Sequence, residues 1–202
     1  MNDTLVWIGT FAIKYFYLFL VILALAALEV QIEGRYGWTK KLPTWRIKSK
    51  LFGFFMGGKE LTGYLFYMLL LLFMLFHLPF LGGAAWTFAS EVEIIFLFLL
   101  FSVFWDFLWF LLNPYYGLAH FKPSYVYWHQ QWILGIPLDY PRGIIISLMI
   151  AFLDYPNGLA KWGLACGVFL ICTLIIILIN QLQRKRPVYW KKHWYYKKTE
   201  KK

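Results

Sequence analysis

An all-α integral membrane protein, a polytopic helical bundle of about five transmembrane helices, is the fold class this sequence predicts. Three observations predict it. Of 202 residues, 61% are hydrophobic and only 15% charged, far from the mix of a soluble domain. Four apolar runs reach or approach the roughly 20 residues needed to cross a bilayer: Leu5 to Leu28, Leu61 to Leu81, Ile94 to Leu112 and Leu159 to Asn180. Sixteen of the twenty Lys and Arg fall outside those runs, between Arg35 and Lys59 or beyond Asn180, as juxtamembrane charge facing an anionic leaflet does.

The first run contains "LALAA", with Ala24 and Ala26 in the spacing of a signal-peptidase site. The leader "MNDTLVW" has no positive charge and the apolar stretch exceeds a typical signal core, so a retained helix is expected. It ends in Glu29 and Glu33, four residues apart and therefore on one helix face. In "TWRIKSKLFGFF", Thr44 to Phe55, the positions of Trp45, Lys48, Phe52 and Phe55 predict an amphipathic helix on the inner leaflet. Glu60 then opens the second run, where the helix macrodipole favours an acid.

Between the second and third runs "GGAAWTFASEVE" carries no Lys or Arg, as expected of an external loop, and Ser90 with Glu93 forms a capping-box pattern that would start the third helix. That helix holds Asp106 about 9 Å short of its inner end and closes at Asn113. "PSYVYWHQQWIL", Pro123 to Leu134, reads as a second interfacial segment. "GIIISLMIAFLDY", Gly143 to Tyr155, is short for a span. However, the two basic patches should both be cytoplasmic, which requires an even number of crossings between them. Counting the short segment as a tilted or bilayer-thinning crossing supplies it, and "DYPNG" has the chemistry of a tight external turn. The expected layout is five spans in the cell (plasma or inner) membrane, N-terminus outside and C-terminus inside. Residues 1–182 form one transmembrane domain and 183–202 a basic tail.

The net charge of +10 could suit nucleic acid, but its distribution assigns it to anionic lipid headgroups near the basic loop and tail, with a membrane protein as a further partner. Cys166 and Cys172 point in different directions on one helix and cannot bridge each other. "GFFMGGKE" fits G-x-x-x-x-G-K, but Glu60 stands where a P-loop needs Ser or Thr. Paired Glu-x-x-His motifs, H-E-x-x-H and G-x-S-x-G are all absent from the sequence.

What remains is a set of polar residues that the topology gathers on one cytoplasmic shelf. Carboxylates with an imidazole suit a divalent metal, which activates water or clamps a phosphate-bearing headgroup. Glu29, Glu33, Asp106 and His129 are the expected ligands, and Asp106 and His129 the expected catalytic pair, because an ionisable residue inside an apolar helix is a functional candidate. The plainer expectation for Glu29 and Glu33 is pairing with Arg35, Lys40 or Lys41. Lys14 is expected to snorkel outward and His77 to be a satisfied interfacial histidine. Two other functions fit the same residues: a transporter or channel subunit with an ion or proton site at Asp106, and an assembly subunit working through its basic loop, aromatic segments and tail.

Overall fold

The computed structural model describes residues 3–184. The expected tail therefore lies outside the described residues, apart from the last turn of a helix. Among these residues the fold is all-α in character: helices α1 (Asp3–Glu33), α2 (Lys50–Phe55), α3 (Gly63–Leu81), α4 (Phe88–Leu112), α5 (Asp139–Ala151) and α6 (Asn157–Arg184), with two short antiparallel ribbons. Four of them, α1, α3, α4 and α6, are long and apolar enough to cross a membrane. These are the four predicted runs, three of them extended at one or both ends and the second shortened by Leu61 and Thr62, which enter a strand.

Helix α4 is the centre of the bundle, with buried residues spread around it from Val92 to Leu111. Helix α1 lays a stripe at three- and four-residue spacing along it, Tyr15, Phe19, Ile22, Ala26 and Val30, the repeat that keeps one helical face against a neighbour. Phe169 of α6 wedges between the two, its ring 6.2 Å from Phe19 and 5.2 Å from Phe104; each such ring pair adds about 0.5–1.5 kcal/mol beyond simple burial. Trp162 Nε1 donates to Ser147 Oγ at 2.9 Å, tying α6 to α5. Of the four long helices α3 is the least enclosed: Gly63, Leu65 and Leu72 alone are buried along it.

Several local expectations are corrected. Thr44 to Phe55 is not one amphipathic helix. Arg46 and Ile47 form strand β1, paired with Leu61 and Thr62 of β2, and Ser49 caps the six-residue α2 by accepting from Phe52 N. Strand pairing and a serine cap win over helical spacing because both satisfy backbone groups locally. Pro123 to Leu134 is likewise turns, ending in strand β3 (Trp132–Ile133), which pairs with β4 (Ile136–Pro137). Helix α3 is capped by Thr62, with Glu60 lying before β2. Helix α4 starts at Thr87, whose hydroxyl and that of Ser90 cap each other's backbone, which releases Glu93 for another role. The short fourth segment runs as α5 from Asp139, with a 3-10 turn over Phe152–Asp154. An acid in the first turn suits the macrodipole, so its polar start belongs to the helix. At 13 residues it is about 20 Å long.

Candidate acid–base site

Four chain segments meet where α1 and α4 end. Helix α1 stops at Glu33, and Gly34 follows with φ +58°, the left-handed turn that ends helices. Asn113, fully buried at the end of α4, donates from Nδ2 to Gly34 O at 2.7 Å and accepts from Tyr115 N at 3.0 Å. This one side chain ties the ends of α1 and α4 together. The next turn passes through Trp38 and Thr39, both at positive φ (56° and 53°), an uncommon conformation for non-glycine residues. Glu33 holds that turn by accepting from Thr39 N at 2.5 Å, and Arg46 donates to Thr39 O at 2.6 Å.

The second segment is "GGKE". Gly57 and Gly58 have φ of +60° and +89°. A Cβ on Gly57 would sit 3.2 Å from Asp139 Oδ1, and one on Gly58 2.6 Å from Gln130 Oε1. The paired glycines let the chain pass this close and turn Lys59 inward, where its side chain is 1% exposed. The ammonium lies 2.9 Å from Asp139 Oδ2, 3.6 Å from Asp106 Oδ1 and 4.5 Å from the centre of the Trp38 ring.

His129 and Asp139 come from either side of the β3–β4 hairpin. Its two-residue turn, Leu134 and Gly135, has both φ values positive (49° and 80°), which matches the twist of paired strands. Leu138 N donates to Gln131 O at 2.9 Å, so residues ten apart in sequence become neighbours. The His129 ring is fully buried among Phe110, Trp128, Trp132 and Tyr140. Its Nδ1 is 3.0 Å from Asp139 Oδ1 and its Nε2 3.2 Å from Asp106 Oδ2. Tyr140 completes the network by donating its hydroxyl to Asp106 Oδ2 at 2.5 Å.

The chain of groups runs Lys59, Asp139, His129, Asp106, Tyr140. Of the charged members, Asp106 alone keeps an open face, with 27% of its side chain exposed against 7% for Asp139. It is therefore the charged member of the network that lies open at the surface. The distance from His129 Nε2 to Asp106 is short, but its geometry makes no hydrogen bond, leaving a buried nitrogen without a partner. Such an atom is costly unless something completes it.

The sequence expectation joined Asp106 and His129, and the fold brings them together. Glu29 and Glu33 approach the same charges, within electrostatic reach of Asp106 and Lys59. The plainer expectation for Glu33 is corrected: it holds the Thr39 turn and makes no ion pair with Arg35, Lys40 or Lys41 among the described residues. Among the described residues no group of three His, Cys, Asp or Glu side chains is arranged to hold a metal ion. His129 turns its two nitrogens to different carboxylates, and Lys59 supplies the cation between Asp106 and Asp139.

Sequence reasoning missed Lys59 and Tyr140 as members of the site, and it put Asp139 on the same shelf without giving it a role. Lys59 was hidden in the basic segment, though two glycines before a lysine at the edge of an apolar run signal a close backbone approach.

On the exposed rim, Tyr36 has its phenol pulled down to about 8, first by hydrogen bonding to Lys41 and then to Arg35. Burial pushes the Tyr116 and Tyr127 phenols up. His120 lies apart from the network, its Nδ1 against Tyr116 O at 2.8 Å.

A second charged cluster sits near the start of α4. Glu93 Oε1 accepts from Lys14 at 2.6 Å and Tyr15 at 3.2 Å, and Oε2 accepts from Lys161 at 2.9 Å. Lys14, expected to snorkel outward, keeps 52% of its side chain exposed and gives its ammonium to an acid in the second turn of α4. His77 meets Glu91 at 3.1 Å. Compared with family models, curated proteins and solved structures, the chain matches none of them.

Proposed function

We propose that this chain is a multi-pass membrane protein that binds the polar headgroup of a lipid at the cytoplasmic interface and acts on it through Asp106 and His129. In this reading the four long helices and the short α5 make five crossings, N-terminus outside, and the basic loop and tail face anionic lipid.

One observation carries the reading. His129 Nε2 is buried without a hydrogen bond, 3.2 Å from the partly exposed carboxylate of Asp106, while Asp139 holds the opposite nitrogen at 3.0 Å. A carboxylate behind an imidazole fixes its tautomer and orientation, leaving Nε2 to face Asp106. His129 is the general acid or base, Asp106 meets the substrate, and Lys59 and Tyr140 hold the Asp106 carboxyl in place.

The same pair favours a divalent cation as assistant. Two atoms 3.2 Å apart can both reach one ion at about 2.1 Å, and the Asp139–His129 contact is the usual support of a ligating histidine. Glu29 makes no hydrogen bond or ion pair among the described residues and would have to move toward the pair to join it, because no three such side chains stand together there. Glu33, partly engaged with Thr39, comes second. The cation would polarise a headgroup oxygen or activate water.

The test is elemental analysis of detergent-purified protein beside Asp106→Asn and His129→Ala, with lipid turnover followed by mass spectrometry. The expected result is near-stoichiometric metal and headgroup turnover in the wild type, both lost in folded variants. Turnover without metal would leave the acid–base pair and remove the cation. Neither in any protein would sink the reading.

A further inference from the structure

Two segments outside the four long helices carry apolar side chains that no described residue covers. On α2 these are Leu51, Phe54 and Phe55, and on the β3–β4 hairpin Ile133, Leu134 and Ile136, all of them exposed. Leu134 is the plainest case. It is 97% exposed and stands at φ +49°, in a two-residue turn where Asn or Gly is usual. No packing among the described residues offsets that strain, so whatever the leucine contacts lies outside them.

The two segments stand on one base. Gln130 N, just before β3, donates to Gly57 O, just after α2, at 3.0 Å. Arg142, in the first turn of α5, donates to Phe54 O and lies 4.5 Å from the centre of the Phe54 ring. Both apolar tips are thereby anchored at the start of α5, where Asp139 and Tyr140 enter the site.

Charge says what covers the tips. Residues 47–59 and 130–138 hold no Asp or Glu, while Lys48 and Lys50 are exposed. Glu60, the next acid along the chain, already has Arg46 at 3.9 Å and Lys48 at 3.7 Å, so the surface stays positive. Apolar tips beside exposed lysines match a partner that is anionic at its face and hydrocarbon beneath, which describes a phospholipid leaflet. A second copy packed symmetrically on the same patch would set these lysines against each other.

We propose that α2 and the β3–β4 hairpin are two prongs set into the hydrocarbon of an anionic cytoplasmic leaflet, with Lys48 and Lys50 at its phosphates. The proposal rests on the five-crossing reading for the leaflet the prongs enter, and it adds how the site meets its lipid. Helix α5, 13 residues long, spans about 20 Å of a hydrocarbon layer of about 30 Å. Its Asp139 end, with Asp106 held to Tyr140 at 2.5 Å, therefore lies below the surrounding phosphates. The prongs displace acyl chains at that level, and the leaflet thins around them until headgroups reach Asp106.

The test is depth-resolved quenching of full-length protein in phosphatidylcholine vesicles with and without phosphatidylglycerol. Cys166 and Cys172 are replaced by alanine, and one NBD-labelled cysteine is introduced as Leu51→Cys, Leu134→Cys, Lys48→Cys or Leu71→Cys, the last on the exposed flank of α3. Brominated acyl chains should quench the Leu51→Cys and Leu134→Cys labels several-fold more than the Lys48→Cys label, and about as strongly as the Leu71→Cys label. Aqueous iodide should rank them in reverse, and omitting phosphatidylglycerol should make both prong labels shallower. Leu134→Gly, which suits the positive φ, should keep the melting temperature in detergent and lose part of the bromine quenching at Leu51→Cys. Prong labels quenched no more than the Lys48→Cys label, shielded from both quenchers as under a protein partner, or indifferent to phosphatidylglycerol overturn the proposal. Asp106→Asn should abolish turnover and leave both depths unchanged. Prongs at depth without turnover in the wild type would sink the proposed activity alone, and turnover with both prong labels in water would sink this proposal alone.

Discussion

Lys59 and Asp139 form a buried ion pair, 2.9 Å apart, with side chains 1% and 7% exposed. Breaking such a pair from one side strands a charge, which typically costs about 3–5 kcal/mol. Lys59→Met should therefore lower the thermal unfolding midpoint in detergent more than any surface lysine variant. Adding Asp139→Asn should recover part of the loss, and a coupling of about 0.5–3 kcal/mol from the double-mutant cycle would report the pair. Additive losses would count against it.

The glycine that delivers Lys59 is open to a sharper comparison. Gly58→Ala places a Cβ at φ +89° against Gln130 and should destabilise by more than about 1 kcal/mol. Gly9→Ala, within α1 and with nothing inside 4 Å, should be neutral or stabilise by about 0.5–1 kcal/mol. Thermal shifts of the two variants, measured in one detergent, decide it.

At the Glu93 cluster the two lysines should be unequal. The Lys161 side chain is 15% exposed and that of Lys14 52%. Lys161→Met should cost about 3 kcal/mol, and Lys14→Met about 0.2–1 kcal/mol. Equal effects in a denaturation series would show that solvent access does not set the strength of these bonds.

Tyr36 supplies a pH signal. Lys41 and Arg35 stabilise its phenolate and draw it down to about 8 from the ordinary 10. The favoured form is the ionised one, so the folded-state preference is fully present above about 10 and fades as pH falls through about 8. Difference absorbance of wild type minus Tyr36→Phe should show a phenol titrating near pH 8, moved upward in Lys41→Ala. A midpoint at 10 in the wild type would contradict the contact.

The long helices were legible because hydropathy over twenty residues averages out local detail, and Asp106 stood out as an acid in an apolar run. Helix starts were less legible. Thr87 and Ser90 cap α4 where the Ser90 and Glu93 pattern suggested a different pair, because both arrangements satisfy the same local rule and only tertiary contact with Lys14 and Lys161 removes Glu93 from it. Trp45 obeyed helical spacing yet lies in a ribbon edge, since its environment is the first turn of α3, eighteen residues away in sequence. The partnership of His129 with Asp139 depends on a hairpin whose turn, Leu134 and Gly135, holds a non-glycine residue at positive φ, so no turn signature announced it.

Helix α1 is unbroken for 31 residues and carries Lys14 near one charged cluster and Glu29 and Glu33 near the other, about 22 Å apart along its axis. A continuous helix transmits axial displacement as a rod. The two charged clusters are therefore joined by one unbroken helix, so any axial displacement of α1 would change the Lys14–Glu93 contact and the position of Glu29 together.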